Sequence, residues 1–357
     1  MLTSSYATDE VTFLLTDLSD APLELSLAER ETAIQTGRNY AEMLPVEYAP
    51  SPRYLALFDS LLEQWAPVVA AHVATVTDLV LGARAGRPVL VSLARAGTPV
   101  GILMRRWAGL RQGIDVPHYS VSIVRGRGID MAALDHIVAR HDPHRIVFVD
   151  GWTGKGAIVT ELRDALDAYE KGGGPAIPRD LAVLADPGHC ATLFGTREDV
   201  LVPSACLNST VCGLVSRTVL NDALIRPGQF HGAKVYWELA GQDRSASFLD
   251  AITAAFPLRA ADPPPDRTVT FDGLDTVRRV QHEFGLPSWH LVKPSVGETT
   301  RVLLRRLPWQ VLVRPDRRSE LSHVLMLAAE RGVPVVDYPD MAYAAIGLVK
   351  PLTGADT

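Results

Sequence analysis

Cysteine is scarce in this 357-residue chain, with three residues at 190, 206 and 212. An odd count with neither a CxxC pair nor a His-rich partner pattern offers no disulfide framework and no zinc site, so reduced thiols are expected. The first residues, MLTSSYATDEVTF, carry acids and no basic segment, and no uninterrupted apolar stretch approaches the roughly 20 residues of a membrane span. A soluble, cytoplasmic protein without a membrane partner is therefore expected. Internal repeats and low-complexity tracts are also missing. Positive charge is in deficit overall, at -6 net. From Arg267 onward, however, 12 basic residues outweigh 10 acidic ones, with Arg301, Arg305, Arg306, Arg314, Arg317 and Arg318 crowded together. Such a cluster suits either a polyanion or a solvated face.

An apolar share of 47% is ample for packed cores and excludes a disordered chain, and the length suits two or three domains. The first 82 or so residues read as mainly helical. Ser26 and Glu29 form a capping-box pattern, and YLALFDSLLEQWAPVVAAHVATVTDLVLGAR repeats apolar residues at three and four. Short apolar runs then alternate with helix-sized segments: PVLVSLA (88–94), HYSVSIV (118–124), RIVFVDG (145–151) and LAVLADP (181–187). Alternation of this kind predicts an α/β fold with a mostly parallel sheet and ligands at the carboxyl ends of its strands. PLRAADPPPDR marks a boundary, because three consecutive prolines exclude regular structure. The expected layout is one domain over 1–258, a linker over 259–267 and a small α/β domain over 268–357.

In RIVFVDGWTGKGAI (145–158) a buried strand ends at Asp150 and a helix opens after Gly156. Free backbone N–H groups and the positive end of the helix dipole make such a turn an anion site. Glycines at 151, 154 and 156 permit close approach and Thr153 adds a hydroxyl. A Walker P-loop is excluded, since Gly156 rather than Ser or Thr follows Lys155.

An apolar run ending in Asp before a T-G-x-G cup resembles the signature of type I phosphoribosyltransferases. That resemblance implies that Asp150 contacts the ribose of phosphoribosyl pyrophosphate and that Thr153, Gly154, Lys155 and Gly156 hold its 5′-phosphate. The usual second acid is replaced by Gly151. VSLARAGTPVG resembles the family's pyrophosphate loop, with Arg95, Ala96 and Gly97 as its anion-binding turn. Arg125 and Arg127, alternating with glycines, suit a mobile flap over a diphosphate. Asp130 is a candidate Mg²⁺ ligand. On this expectation the reaction is Mg²⁺-dependent phosphoribosyl transfer, or the reverse phosphorolysis, with Asp150, Arg95, Arg125 and Arg127 as its catalytic residues.

The segment 186–221 is dense in polar groups that cores avoid, including His189, Cys190, Ser204, Asn208, Ser209, Thr210, Ser216 and Arg217. QTGRNYAEML, LARAGTPVG, IVRGRGID, FVDGWTGKGAI, PSACLNSTVCGLVSRTV and FHGAKVYWELA together resemble the bacterial StiP family over nearly the whole chain. The resemblance implies a phosphoribosyltransferase-like N-terminal domain and a pelota-like C-terminal one, in stress-response and tellurite-resistance clusters, with a role in making a modified ribonucleoside. KPSVGETTRVLLRRLPWQVLVRP looks like a pelota-type RNA-binding module, which implies RNA contacts at Gly297, Glu298, Thr300 and Arg301, with Arg305 and Arg306 near the backbone. The family's cysteine-protease label keeps a second reading open. It needs a thiol, Cys190 or Cys206, with a base such as His189 or His231 in reach. A third reading is a non-catalytic ligand- or RNA-binding regulator on the same fold.

Overall fold

The computed structural model describes residues 2–26, 29 and 39–351. The capping box is present: Ser26 N–H donates to Glu29 Oε2 at 2.8 Å and Glu29 N–H to Ser26 Oγ at 3.3 Å. Most of the helix expected to follow lies outside the described residues. The rest of the extension departs from the helical expectation, since residues 2–26 form turns and two-residue strands, among them β1 (Thr12–Phe13).

The long helix α1 (Pro52–Ala83) starts where its sequence dictates, with Ser51 Oγ accepting from Tyr54 N–H and Pro52 in the first turn. It is apolar and long enough to cross a membrane, yet more than half of its most apolar stretch is buried inside the protein. Phe58, Val69, Val73 and Val76 on this helix are fully buried, against the sheet.

That sheet is the expected parallel one. Its strands are β1, β2 (Val89–Leu93), β3 (His118–Val121), β4 (Ile146–Trp152), β5 (Leu181–Ala185) and β6 (Leu193–Thr196), in the order β1-β3-β2-β4-β5-β6. Every pairing is parallel. Helices α2 (Gly97–Trp107), α3 (Met131–Val138), α4 (Ala157–Lys171) and α5 (Ser245–Ala254) cover its faces, as buried β-rich strands require.

After an irregular stretch with Pro263 to Pro265, α6 (Asp272–Glu283) opens the C-terminal domain. Strands β7 (Val292–Pro294), β8 (Pro308–Val313), β9 (Val335–Asp337) and β10 (Ala345–Val349) form a mixed sheet in the order β7-β10-β8-β9. Helices α7 (Val296–Arg305) and α8 (Ser322–Glu330) pack on it. The two domains share one apolar core: Leu303, Val324 and Leu327 belong to the same cluster as Phe58, Ala205 and Cys206.

Candidate functional site

The turn after β4 is filled by the protein's own groups. Thr153 is fully buried, and its hydroxyl donates to Asp186. Lys155 Nζ donates to the carbonyls of Trp289 and Val292 at 2.8 and 3.1 Å and lies 4.4 Å from the Trp289 ring centre. Gly154 O accepts from the Tyr343 hydroxyl at 3.0 Å. Gly156 adopts φ +81°, and any Cβ there would meet Phe271. The C-terminal domain thus closes the cup expected to take a phosphate. Asp150 is half-buried and accepts from Gly151 N–H at 2.8 Å. Burial pushes its carboxyl up to about 6, against the pull of that N–H and of Arg301.

The Arg95-Ala96-Gly97 turn is packed just as closely. A Cβ at Gly97 would collide with the Val149 carbonyl. Arg95 Nη2 donates to Asn208 Oδ1 at 2.5 Å, and its Nη1 stands 3.8 Å from Glu47. Glu47 also accepts from the backbone and hydroxyl of Ser209 at 3.0 and 2.7 Å. Arg95 therefore holds the segment after Cys206 in place. Of the flap arginines, Arg125 donates to His290 Nδ1 at 3.0 Å and Arg127 lies 3.9 Å from Asp222. Asp130 is 1% exposed and spends its carboxylate on Ala133 N–H, as the cap of α3, and on His231 N–H. Among the described residues no three His, Cys, Asp or Glu side chains are grouped to hold a metal, and both Asp130 carboxylate oxygens already accept backbone N–H groups.

The three thiols differ. Cys190 is sealed beneath the β4 turn, its Sγ 3.1 Å from Gly188 O and its backbone N–H donating to Asp186 at 2.9 Å. Burial, and then the Asp186 carboxylate, push its thiol up to about 12, so it stays protonated. Asp186 is fully buried and accepts from Thr153, Arg197 and the Cys190 and Ala191 amides. His189, next in sequence, pairs with Asp272 at 3.6 Å. Cys212 is buried beside Tyr6.

Cys206 ends the short 3₁₀ turn Pro203–Cys206 and lines a cavity of about 550 Å³ between the domains. The apolar wall is Leu57, Leu303, Leu304, Met326 and Leu327, and Asn208 and Tyr54 add polar groups beside Cys206. The Tyr54 hydroxyl donates to the Cys206 carbonyl, which pins the turn. Because Arg95 only donates, the Asn208 atom that it meets is the carbonyl oxygen, which leaves the amide nitrogen as a donor. None of His189, His231 and His323 lines this cavity; His231 Nδ1 is bound to Ser122 Oγ at 2.9 Å. A histidine that no sequence motif singled out shares a helix with residues that do line it. His323 is one turn before Met326 and Leu327 on α8, 2% exposed, with Nε2 3.3 Å from Thr300 Oγ1. Thr300 donates its single proton to Val296 O at 2.8 Å, which assigns the donor role to Nε2–H and a lone pair to Nδ1. Nδ1 has no hydrogen-bond partner, and burial lowers the imidazole to about 4. Nothing local in SHVLM marked this residue; only the packing of α7 on α8 isolates it.

The tail residues expected to touch RNA are turned mostly inward. Val296 N–H donates to both oxygens of Asp199 at 3.0 Å, and Ala344 N–H to one at 2.9 Å, so a loop of the N-terminal domain caps α7. Gly297 packs against Trp152 and Ala205, and Thr300 is fully buried. Arg301 pairs with Glu298 at 2.7 Å and stacks over Trp152, 4.6 Å from its ring centre. Arg306 is exposed, and the Arg305 side chain lies outside the description. Arg314, Arg317 and Arg318 are all spent on carboxylates.

Comparison with known proteins bears on these readings. Residues 271–351 match the PELOTA RNA binding domain. A relative from Acinetobacter baylyi, named Cysteine protease StiP, is 35% identical over 98% of this chain and 94% of its own length. Residues 4–253 match the family described as Tellurite-like stress resistance cysteine protease StiP. Both names overturn the phosphoribosyltransferase activity expected from the turn, with its phosphoribosyl pyrophosphate substrate, and favour the thiol alternative. Taken with the match over 70% of its length, the resemblance seen in the six segments has a firm basis: this chain belongs to the StiP family.

Proposed function

We propose that this protein is a cysteine peptidase whose nucleophile is Cys206. The observation that carries the reading is that Cys206 lines the interdomain cavity, whereas Cys190 is sealed and held protonated. The family description and the relative's name support the reaction class. A thiol attack needs a base, an oxyanion donor and a place for the substrate side chain. We assign the base role to His323, whose neutral imidazole and unpartnered Nδ1 lie one turn before Met326 and Leu327 of the wall, behind the lining rather than on it. As Sγ attacks the peptide carbonyl carbon, Nδ1 takes the thiol proton and passes it to the departing amine, leaving a thioester that water then hydrolyses. Asn208, held by Arg95 and lining the same cavity, is our candidate for the oxyanion donor through its amide N–H. The leucine- and methionine-rich wall fits an apolar side chain beside the cleaved bond.

Hydrolysis of fluorogenic peptides carrying Leu or Phe before the reporter tests this directly. Cys206→Ala is expected to abolish cleavage, and His323→Ala to slow it by roughly 10²- to 10⁴-fold, the usual share of general-base catalysis. Full activity in Cys206→Ala would overturn the assignment.

For the C-terminal domain we infer RNA binding, supported by the match over 271–351. Titration of the whole protein with a labelled single-stranded RNA at several salt concentrations tests it, and salt-dependent binding is expected.

A further inference from the structure

Four cations from both domains meet along one edge of the interdomain seam. Arg125 stands exposed on the Val124–Gly128 turn, whose Gly126 and Gly128 amides are held by Glu161 at 2.9 and 3.0 Å. Its guanidinium reaches across to His290 Nδ1 at 3.0 Å. Lys155 lies over Trp289, half-buried Lys293 is on β7, and exposed Arg306 follows α7. None of the four is ion-paired to a carboxylate among the described residues, unlike Arg301, Arg314, Arg317 and Arg318 nearby. Glu298, already paired with Arg301, is the acid that they feel. Burial first, and then their mutual repulsion, hold Lys155 down to about 7 and Lys293 below its ordinary value. Crowded cations without counter-charges raise the local positive potential and favour a bound polyanion. Beside them lie aromatic rings: Trp289 and exposed His290 are 4.5 Å apart at 34°. Cations along a groove next to an exposed ring are the arrangement that holds a single strand, phosphates on the charges and a base on the ring.

We infer that RNA bound to the C-terminal domain crosses the seam onto the N-terminal domain, its phosphates on Lys293, Arg306 and Arg125 and a base against His290. This rests on the RNA reading above and changes where the contacts lie. They are on the outer edge of the seam rather than at Gly297 and Thr300, and they include a residue remote from the C-terminal domain in sequence.

The test is fluorescence anisotropy of a labelled single-stranded oligouridylate against the full chain, its Arg125→Ala, Lys293→Ala and Arg306→Ala variants, and Arg140→Ala as a charge control on α3's far end. Each seam variant is expected to weaken binding and to reduce the slope of log affinity against log salt by about 0.7, the value of one single-strand phosphate contact, with Arg140→Ala unchanged. Arg125→Ala binding like the wild type, while Arg306→Ala binds weakly, would overturn the crossing and keep the RNA reading. No binding by the wild type would remove the RNA reading itself. Polyglutamate bound in place of RNA, and lost in Arg125→Ala, would also overturn the inference and make the seam a protein-docking surface.

Discussion

Cys190 and Cys206 lie 16 residues apart, both after strands of the same parallel sheet and both 3% exposed, yet their surroundings assign them opposite roles. Cys190 is packed under glycine carbonyls beside a buried carboxylate, which disfavours its thiolate. Cys206 ends a turn pinned by Tyr54, with one side open to a cavity built from three helices. A thiol's capacity for chemistry is set by what can reach it and by what charge stands nearby, and fractional exposure does not report either.

The sharpest way to break this contrast is to exchange the roles. Cys190→Ala is expected to leave peptide hydrolysis within about twofold of wild type while Cys206→Ala removes it; the reverse pattern in the same assay would move the nucleophile beneath the β4 turn. Next in size is the carboxylate that organises the Cys190 side. Asp186→Ala leaves Arg197, Thr153 and two backbone amides without their buried acceptor, and is expected to cost about 3 to 5 kcal/mol in denaturant unfolding. An unchanged midpoint would show that this network contributes little.

A third effect depends on pH. Burial raises Asp199, which caps α7 across the domain seam, to about 7 from an ordinary 3.8, against the lowering pull of its three N–H donors. A raised carboxyl binds its proton more tightly in the folded state. Its contribution is therefore complete below about pH 4 and is lost as pH rises through about 7, at no more than about 1.4 kcal/mol per pH unit. Thermal melts from pH 4 to 8 should show a decline that Asp199→Asn flattens; an identical slope in the variant would exclude Asp199 as its source. Smallest is the labelling difference. Brief iodoacetamide treatment of the folded protein, followed by peptide mass mapping, should modify Cys206 ahead of Cys190, and equal modification would mean that the Cys190 turn opens readily.

Much of the scaffold was legible in the sequence. The alternation of PVLVSLA, HYSVSIV, RIVFVDG and LAVLADP with helical segments gives four of the six parallel strands their reason, because β-rich runs buried on both faces have few other packings, whereas β1 and β6 carried no such run. Ser26 and Glu29 announce their cap, and Ser51-Pro52 the start of α1. The pelota-type resemblance of the tail was legible too, through KPSVGETTRVLLRRL, and residues 271–351 match that domain. The turn at Asp150 was legible as a turn, but the groups that pack against it were not. Its glycines signal close approach, but what approaches is Tyr343, Phe271 and Trp289 from more than 100 residues away. His323 was invisible, since one histidine in an apolar helix resembles any core residue until its neighbours are known.

The mostly parallel sheet and the family were readable from the residues alone, because they depend on periodicity, turn chemistry and local motifs that short segments carry. Which thiol faces a cavity, which side chains close the β4 turn and which cations are left without a carboxylate partner emerge only in the folded chain. Those outcomes depend on how α7 and β7 dock against the N-terminal domain, and docking is set by the shape of a shared core summed over distant residues, which no local pattern encodes.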